Sequence, residues 1–142
     1  MTVCVDASLV IKLLTPEPGS GEVQEWFVRH AEDELVAPHF LVAEVLSSLR
    51  RKCKSGEITS QEARAATSVL ESLGLKLVWE WGLAERALAL SEELEQATVY
   101  DSIYLAVAEA TGCEFWTMDA RFARSVAPRY PFVRLLELSA AG

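Results

Sequence analysis

Cysteine is scarce in this chain, and what there is of it is scattered. The three residues, Cys4, Cys53 and Cys113, are odd in number and far apart. Their spacing draws no disulfide framework, and without a CxxC pair or a Cys/His cluster it proposes no zinc site. They read as small buried hydrophobes with reduced thiols, as in a cytoplasmic protein. Histidine is scarcer, at two. His30 falls in the apolar stripe of a helix and His39 at a helix start, so a histidine-based acid–base pair is poorly supplied. Positive charge is in deficit: 13 Lys and Arg face 21 Asp and Glu, for a net charge of −8. That argues against a general nucleic-acid binder, which needs basic surface. No apolar run is long enough to cross a bilayer. The start MTVCVDAS has no basic leader and Asp6 breaks its apolar run, so a cleaved signal peptide is not expected. Repeats, low-complexity segments and linkers are lacking. At 142 residues and 51% apolar, the chain is expected to form one domain, 1–142, with a full core.

The elements alternate. Thr2 to Asp6 is a short, apolar, β-branched strand, followed by a helix through Val10 to Leu14 that Pro16, Pro18 and Gly19 end. Val23, Trp26, Phe27 and His30 mark an amphipathic helix. Leu35 to Ala37 is a second strand, and Pro38 opens a helix reaching Lys54. Thr59 and Glu62 make a capping box for the next helix. Leu75 to Trp79 is a third strand and Leu83 to Glu95 a helix. Thr98 is positioned to cap the helix carrying Asp101. Phe115 to Thr117 is a fourth strand, Asp119 starts a short helix, and Phe132 to Leu136 is an edge strand. This alternation predicts an α/β sandwich around a mostly parallel sheet.

Four carboxylates stand where a soluble chain seldom spends a charge. Asp6 ends VCVD, Glu44 interrupts FLVAEVL, Asp101 lies inside TVYDSIYLAVA, and Asp119 follows FWTM. A carboxylate in apolar surroundings is costly unless a cation or donors compensate it. Each has a bland reading. Asp6 and Asp119 suit helix caps, and Asp101 sits in a first helical turn where the dipole favours negative charge. Glu44 borders the stripe Leu41, Val45, Leu49 and is least explained by capping. Asp6 and Asp119 also fall just past strand ends, where open α/β sheets build their sites. Ser8 is placed to steady a metal-bound water or to cap, and Thr117 gives polar support beside Asp119.

Two basic knots follow two of the acids: Arg50, Arg51, Lys52 and Lys54, then Arg121, Arg124, Arg129 and Arg134. They hold eight of the 13 basic residues. They read either as a basic rim beside an acidic pocket or, for the first knot, as complements to a helix C-terminus. Lys12 reads as a snorkelling surface lysine. Trp26, Phe27, Trp79, Trp81 and Trp116 read first as core, with a dimer interface as the alternative.

The segments VDASLVIK, PHFLVAEVLSSLRR, YDSIYLAVAEATGCEFWTMD and the following RFA resemble, in order, the motifs of the PIN-domain family, in particular the toxin nucleases of toxin–antitoxin pairs. The resemblance runs from Val3 to about Leu136. It implies a three-layer α/β/α sandwich with a central, mostly parallel five-stranded sheet. It also implies RNA cleavage dependent on Mg2+ or Mn2+, a homodimer, a small antitoxin partner and no membrane. Asp6, Glu44, Asp101 and Asp119 match the family's four acids, and Thr117 its polar residue before the last. Ser47 stands where many relatives carry Asn, and Ser102 where Ala is common; neither change removes a proposed ligand.

The chemistry fits those charges. Hard oxygen ligands suit magnesium or manganese, with Asp6, Asp101 and Asp119 as ligands and Glu44 binding metal or orienting the attacking water. Arg50, Arg51, Lys52, Lys54, Arg121 and Arg124 are the candidate RNA contacts. A housekeeping RNA-processing nuclease and a catalytically silent protein-binding module are the rival readings.

Overall fold

In a computed structural model, residues 1–138 are described and form a five-stranded, wholly parallel sheet in the order β3-β2-β1-β4-β5. The strands are β1 (Thr2–Val5), β2 (Glu34–Pro38), β3 (Lys76–Val78), β4 (Glu114–Thr117) and β5 (Val133–Leu135). Central β1 and β2 read as unbroken apolar runs because a parallel sheet is covered on both faces. Val3, Cys4, Val5 and Ala37 are accordingly inaccessible to solvent.

Helices α1 (Ala7–Leu14), α2 (Ser20–Arg29), α3 (Phe40–Lys54) and α4 (Ser60–Ser72) fill the connections from β1 through β3. Helices α5 (Leu83–Glu93), α6 (Tyr100–Thr111) and α7 (Ala120–Val126) fill those from β3 through β5. The first connections step one way across the sheet and the later ones step back. Right-handed crossovers therefore put the two groups on opposite faces. Packing agrees: α1 lies against α2, α3 and α4, whereas α5 packs on α6, α6 on β1, β2 and β4, and α7 on β5. This is the expected α/β sandwich. Among the described residues no helix is long and apolar enough to cross a membrane.

Local signals mostly hold. Thr59 and Glu62 exchange both hydrogen bonds of a capping box, at 3.0 Å each. Two expectations are corrected. Pro38 closes β2 instead of opening α3, because its fixed φ suits the strand end and leaves His39 at the N-cap. Thr98 does not cap α6; Val99 holds that position with no side-chain cap. The tryptophans divide. Trp26 is fully buried, Trp79 and Trp116 pack partly against the core, and Trp81 is 93% exposed.

The reversal of direction opens the sheet between the carboxyl ends of β1 and β4, the switch point where α/β folds place their ligands. His30 lies at the other end of the sheet. It stacks on Trp26 at 4.1 Å, and its Nδ1 meets Asp33 Oδ2 at 2.7 Å just before β2. It serves the packing there.

Candidate active site

Asp6 is the first residue past β1, and its amide still donates to the Trp116 carbonyl of β4 at 2.9 Å. It occupies the N-cap position of α1 but makes no capping hydrogen bond. Its Oδ2 instead accepts the Ser8 hydroxyl at 2.7 Å and the Thr117 hydroxyl at 2.9 Å. Each hydroxyl is held in turn by a backbone amide, Met118 N–H on Ser8 at 3.2 Å and Asp119 N–H on Thr117 at 3.0 Å. With both donors on one oxygen, Oδ1 is left to other partners. Burial pushes the Asp6 carboxyl up, and the two hydroxyls with the nearby amides of Ala7 and Ser8 pull it part-way back. Ser8, expected to steady a water or to cap, spends its proton on Asp6.

Glu44 comes in from α3 and is fixed by a residue that sequence reasoning missed. The buried Tyr104 hydroxyl donates to Glu44 Oε1 at 2.8 Å and accepts the Ala7 N–H at 3.3 Å. It ties α3 to the first turn after Asp6. Tyr104 is three residues past Asp101, on the same side of α6. A tyrosine inside the apolar run SIYLAVA was the available signal, since a buried Tyr hydroxyl needs a partner. Burial raises Glu44 above the usual carboxylate range, Tyr104 counters, and the charges of Asp6 and Asp101 raise it further.

Asp101 stands in the first turn of α6, partly buried, and among the described residues its carboxylate accepts no hydrogen bond. Burial, then the charges of Asp6 and Asp119, push it up to about 6. Asp119 realises its bland reading: Oδ1 accepts Phe122 N–H at 3.0 Å and caps α7. Its exposed carboxylate still shares with Asp101 a hollow of about 360 Å3. Among the described residues none of the four acids is ion-paired to a lysine or arginine. Nor do three Asp, Glu, His or Cys side chains there draw close enough to grip one ion between them. The charges of Asp6, Asp101 and Asp119 thus bear on Glu44 or Asp101, while Glu44 lines one hollow and Asp101 and Asp119 line another, an open arrangement and no closed cage.

The basic knots disperse. Lys52 is committed to Glu17 and, at 3.3 Å, to Glu57, while Lys12 meets Glu17 at 2.8 Å. Arg50 faces α4 beside Arg64, and Lys54 is exposed at the end of α3. Arg124 meets Glu137 at 3.7 Å, Arg129 meets Glu93 at 2.9 Å, and Arg134 meets Glu114 at 2.7 Å. One arginine from each knot flanks the acids. Arg51 shares a hollow with Glu44, and Arg121 shares the other with Asp101 and Asp119.

A family model for the PIN domain matches residues 3–126, which span all four acids. The chain belongs to the PIN-domain family. Within that family it is 33% identical over 128 residues to ribonuclease VapC1 of Mycobacterium tuberculosis, covering 89% of this chain and 91% of the relative. It is 31% identical over 140 residues to ribonuclease VapC3 of Pyrobaculum aerophilum, covering 92% and 96%. The PIN fold is matched in the crystal structure of VapBC2 from Rickettsia felis bound to a DNA fragment from its promoter. That likeness has a TM-score of 0.70 at 14% identity, over 98% of this chain and all of that one.

Proposed function

We propose that this chain is a divalent-metal-dependent endoribonuclease, the toxin of a toxin–antitoxin pair, with Asp6, Glu44, Asp101 and Asp119 as its active site. The observation that carries the reading is Asp101, a partly buried carboxylate that among the described residues accepts no hydrogen bond and meets no lysine or arginine. Burial, then the charges of Asp6 and Asp119, push it up to about 6. A structural acid would have been given a partner. The named relatives are ribonucleases, and their likeness extends over nearly the whole chain.

The donor set fits magnesium or manganese. Such ions take hard oxygen ligands and keep several waters, binding through one or two carboxylates plus substrate phosphate, so an open group of acids suits them better than a cage. Asp6, Asp101 and Asp119 would hold the ion, directly or through its waters, with Glu44 at its edge. When bound it neutralises the phosphoryl oxygens and acidifies a water. The residues do the rest. Ser8 and Thr117 fix Asp6 through Oδ2, so Oδ1 keeps one direction. Tyr104 occupies Glu44 Oε1 and leaves Oε2 to take the proton of the attacking water as the P–O bond breaks and the leaving oxygen is protonated from solvent. Arg51 and Arg121 receive the strand on either side. A cytoplasmic setting, a second copy of the chain and a small antitoxin belong to the same reading.

The test is RNA cleavage by the purified protein with magnesium, with manganese and in EDTA, beside Asp101→Asn. Cleavage confined to the metal-loaded native chain is expected. Equal activity in EDTA, or in the Asp101→Asn protein, overturns the mechanism. Absence of cleavage over diverse RNAs, together with absence of metal binding, favours a protein-binding module.

A further inference from the structure

A strand crossing the acids leaves them on two sides, and the two sides are built differently. On the α7 side the hollow is polar, with Arg121, Gln96 and Ser125 beside Asp101 and Asp119. On the α3 side a hollow of about 420 Å3 pairs one acid, Glu44, with Arg51, Ser47, Ile11 and two aromatic rings, Phe40 and Tyr100. That volume lies in the range of small-ligand sites. Phe40, Glu44, Ser47 and Arg51 follow one another at spacings of four, three and four along α3, so they form a single stripe down one helix face.

Tyr100 immediately precedes Asp101 and is 54% exposed, an unusual investment for an aromatic residue at the lip of a charged crevice. It is not loose. Phe40 braces it edge-on, with centroids 5.4 Å apart and planes at 71°. Phe40 is braced in turn by Tyr104 at 5.2 Å and 83°, and Tyr104 stacks on Phe115 at 5.4 Å and 21°. The exposed ring is thus anchored to the core through the same tyrosine that holds Glu44. A braced, solvent-facing aromatic beside an arginine that makes no ion pair among the described residues suits a nucleobase and its phosphate: every base has a π-face to stack, and guanidinium matches phosphate geometry. An apolar partner surface would call for more exposed carbon here than one ring, and for fewer charges.

Building on the ribonuclease reading, we propose that Tyr100 is the platform on which the base next to the cleaved phosphodiester stacks, with Arg51 gripping the phosphate on that side. The strand then runs along the α3 stripe, over the acids and out past Arg121. Specificity arises at that one base position and is tolerant, because stacking discriminates weakly among bases.

The experiment starts from a pool of short single-stranded RNAs, incubated with the native chain and magnesium or manganese; sequencing the products identifies a cleaved member. Analogues of it, each with one abasic position, are then assayed with the native chain, Tyr100→Leu, Tyr100→Trp and Arg51→Gln, all checked for native circular dichroism. Tyr100→Leu is expected to raise KM about tenfold with kcat nearly unchanged, and Tyr100→Trp to restore it. One abasic position beside the cut should raise KM about tenfold in the native chain and add nothing in Tyr100→Leu. Arg51→Gln should raise KM at every position alike and flatten its salt dependence. An abasic penalty undiminished in Tyr100→Leu overturns the platform while leaving the ribonuclease reading intact. So does a Tyr100→Leu protein whose only change is weaker self-association. A pool with no cleaved member overturns the ribonuclease reading itself, and the platform with it.

Discussion

Glu17 and Asp101 are both carboxylates drawn partly out of water at helix junctions, and they titrate in opposite directions. Burial pushes each of them up. At Glu17, hydrogen bonds from Lys12, Lys52 and Thr15 overcome it and hold the group at about 2. At Asp101 the neighbours are Asp6 and Asp119, and the group rises to about 6. The chain does not lack cations near its crevice: Lys52 is on α3, the helix that also carries Glu44 and Arg51. It places Lys12 and Lys52 on Glu17, at the corner between α1 and α2, and among the described residues pairs no lysine with the crevice acids. The Glu17 carboxylate is fastened by two lysines and the Asp101 carboxylate is raised by burial and by two neighbouring acids, and the sign of the shift separates them.

The strongest way to break that contrast is to neutralise one acid from each region. Asp6→Asn is expected to lower cleavage by at least about a hundredfold, since it removes a proposed ligand from the reaction while keeping the side chain's shape. Glu17→Gln should keep cleavage within about threefold and lower the unfolding free energy by about 1–2 kcal/mol, because a partly solvated ion pair is lost without emptying the core. Initial rates and urea midpoints read both. A Glu17→Gln protein as inactive as Asp6→Asn would erase the distinction. Tyr104→Phe lies between the two. It deletes the hydroxyl shared by Glu44 and the Ala7 amide, so about tenfold in kcat and about 1–2 kcal/mol of stability should go together. A change in stability alone would mean that Glu44 needs no fixed orientation.

The sequence made the sheet legible because its strands are short apolar runs bounded by Pro, Gly and acid residues, and all five lie where the pattern put them. Helix starts were less legible. Pro38 and Thr98 carry local signals that suit more than one position, and the final choice belongs to the strand register and to α6 packing. Asp6 and Asp119 could be placed at strand ends from periodicity. Their link through Thr117, whose hydroxyl serves Asp6 while receiving the Asp119 amide, spans 111 residues and exists only in the folded chain. Tyr104 and Glu44 are similarly 60 residues apart. The basic knots show the limit from the other side. The first reads either as a rim or as a complement to a helix end, and Arg51, Lys52 and Lys54 do sit in the last turn of α3. Helical rotation sends Arg50, Arg51 and Lys52 in three directions and, of these three, brings Arg51 beside Glu44.

The smallest expected effect is a difference in pH windows, and it sharpens the contrast most directly. The folded Asp101 carboxyl binds its proton more tightly than the unfolded chain, whose ordinary value is about 3.9. Its charge therefore weakens the fold fully above about 6, and the penalty fades as pH falls toward the unfolded value. Glu17 is the reverse. Its contribution is complete above the ordinary glutamate value and is lost as pH falls through about 2. In EDTA at pH 7, Asp101→Asn should thus be more stable than the native chain, by about 1–2 kcal/mol once solvent relaxation is allowed for. At pH 4.5 most of that advantage should be gone, while Glu17 is still ionised and the α1–α2 corner still fastened. Adding magnesium or manganese at pH 7 should erase the advantage too, because a cation in the crevice offsets the same repulsion that the substitution removes. Urea titrations at the two pH values, with and without metal, read all of this. An advantage for Asp101→Asn that is equal at both pH values, or that metal leaves untouched, would show that Asp6 and Asp119 do not repel the Asp101 charge.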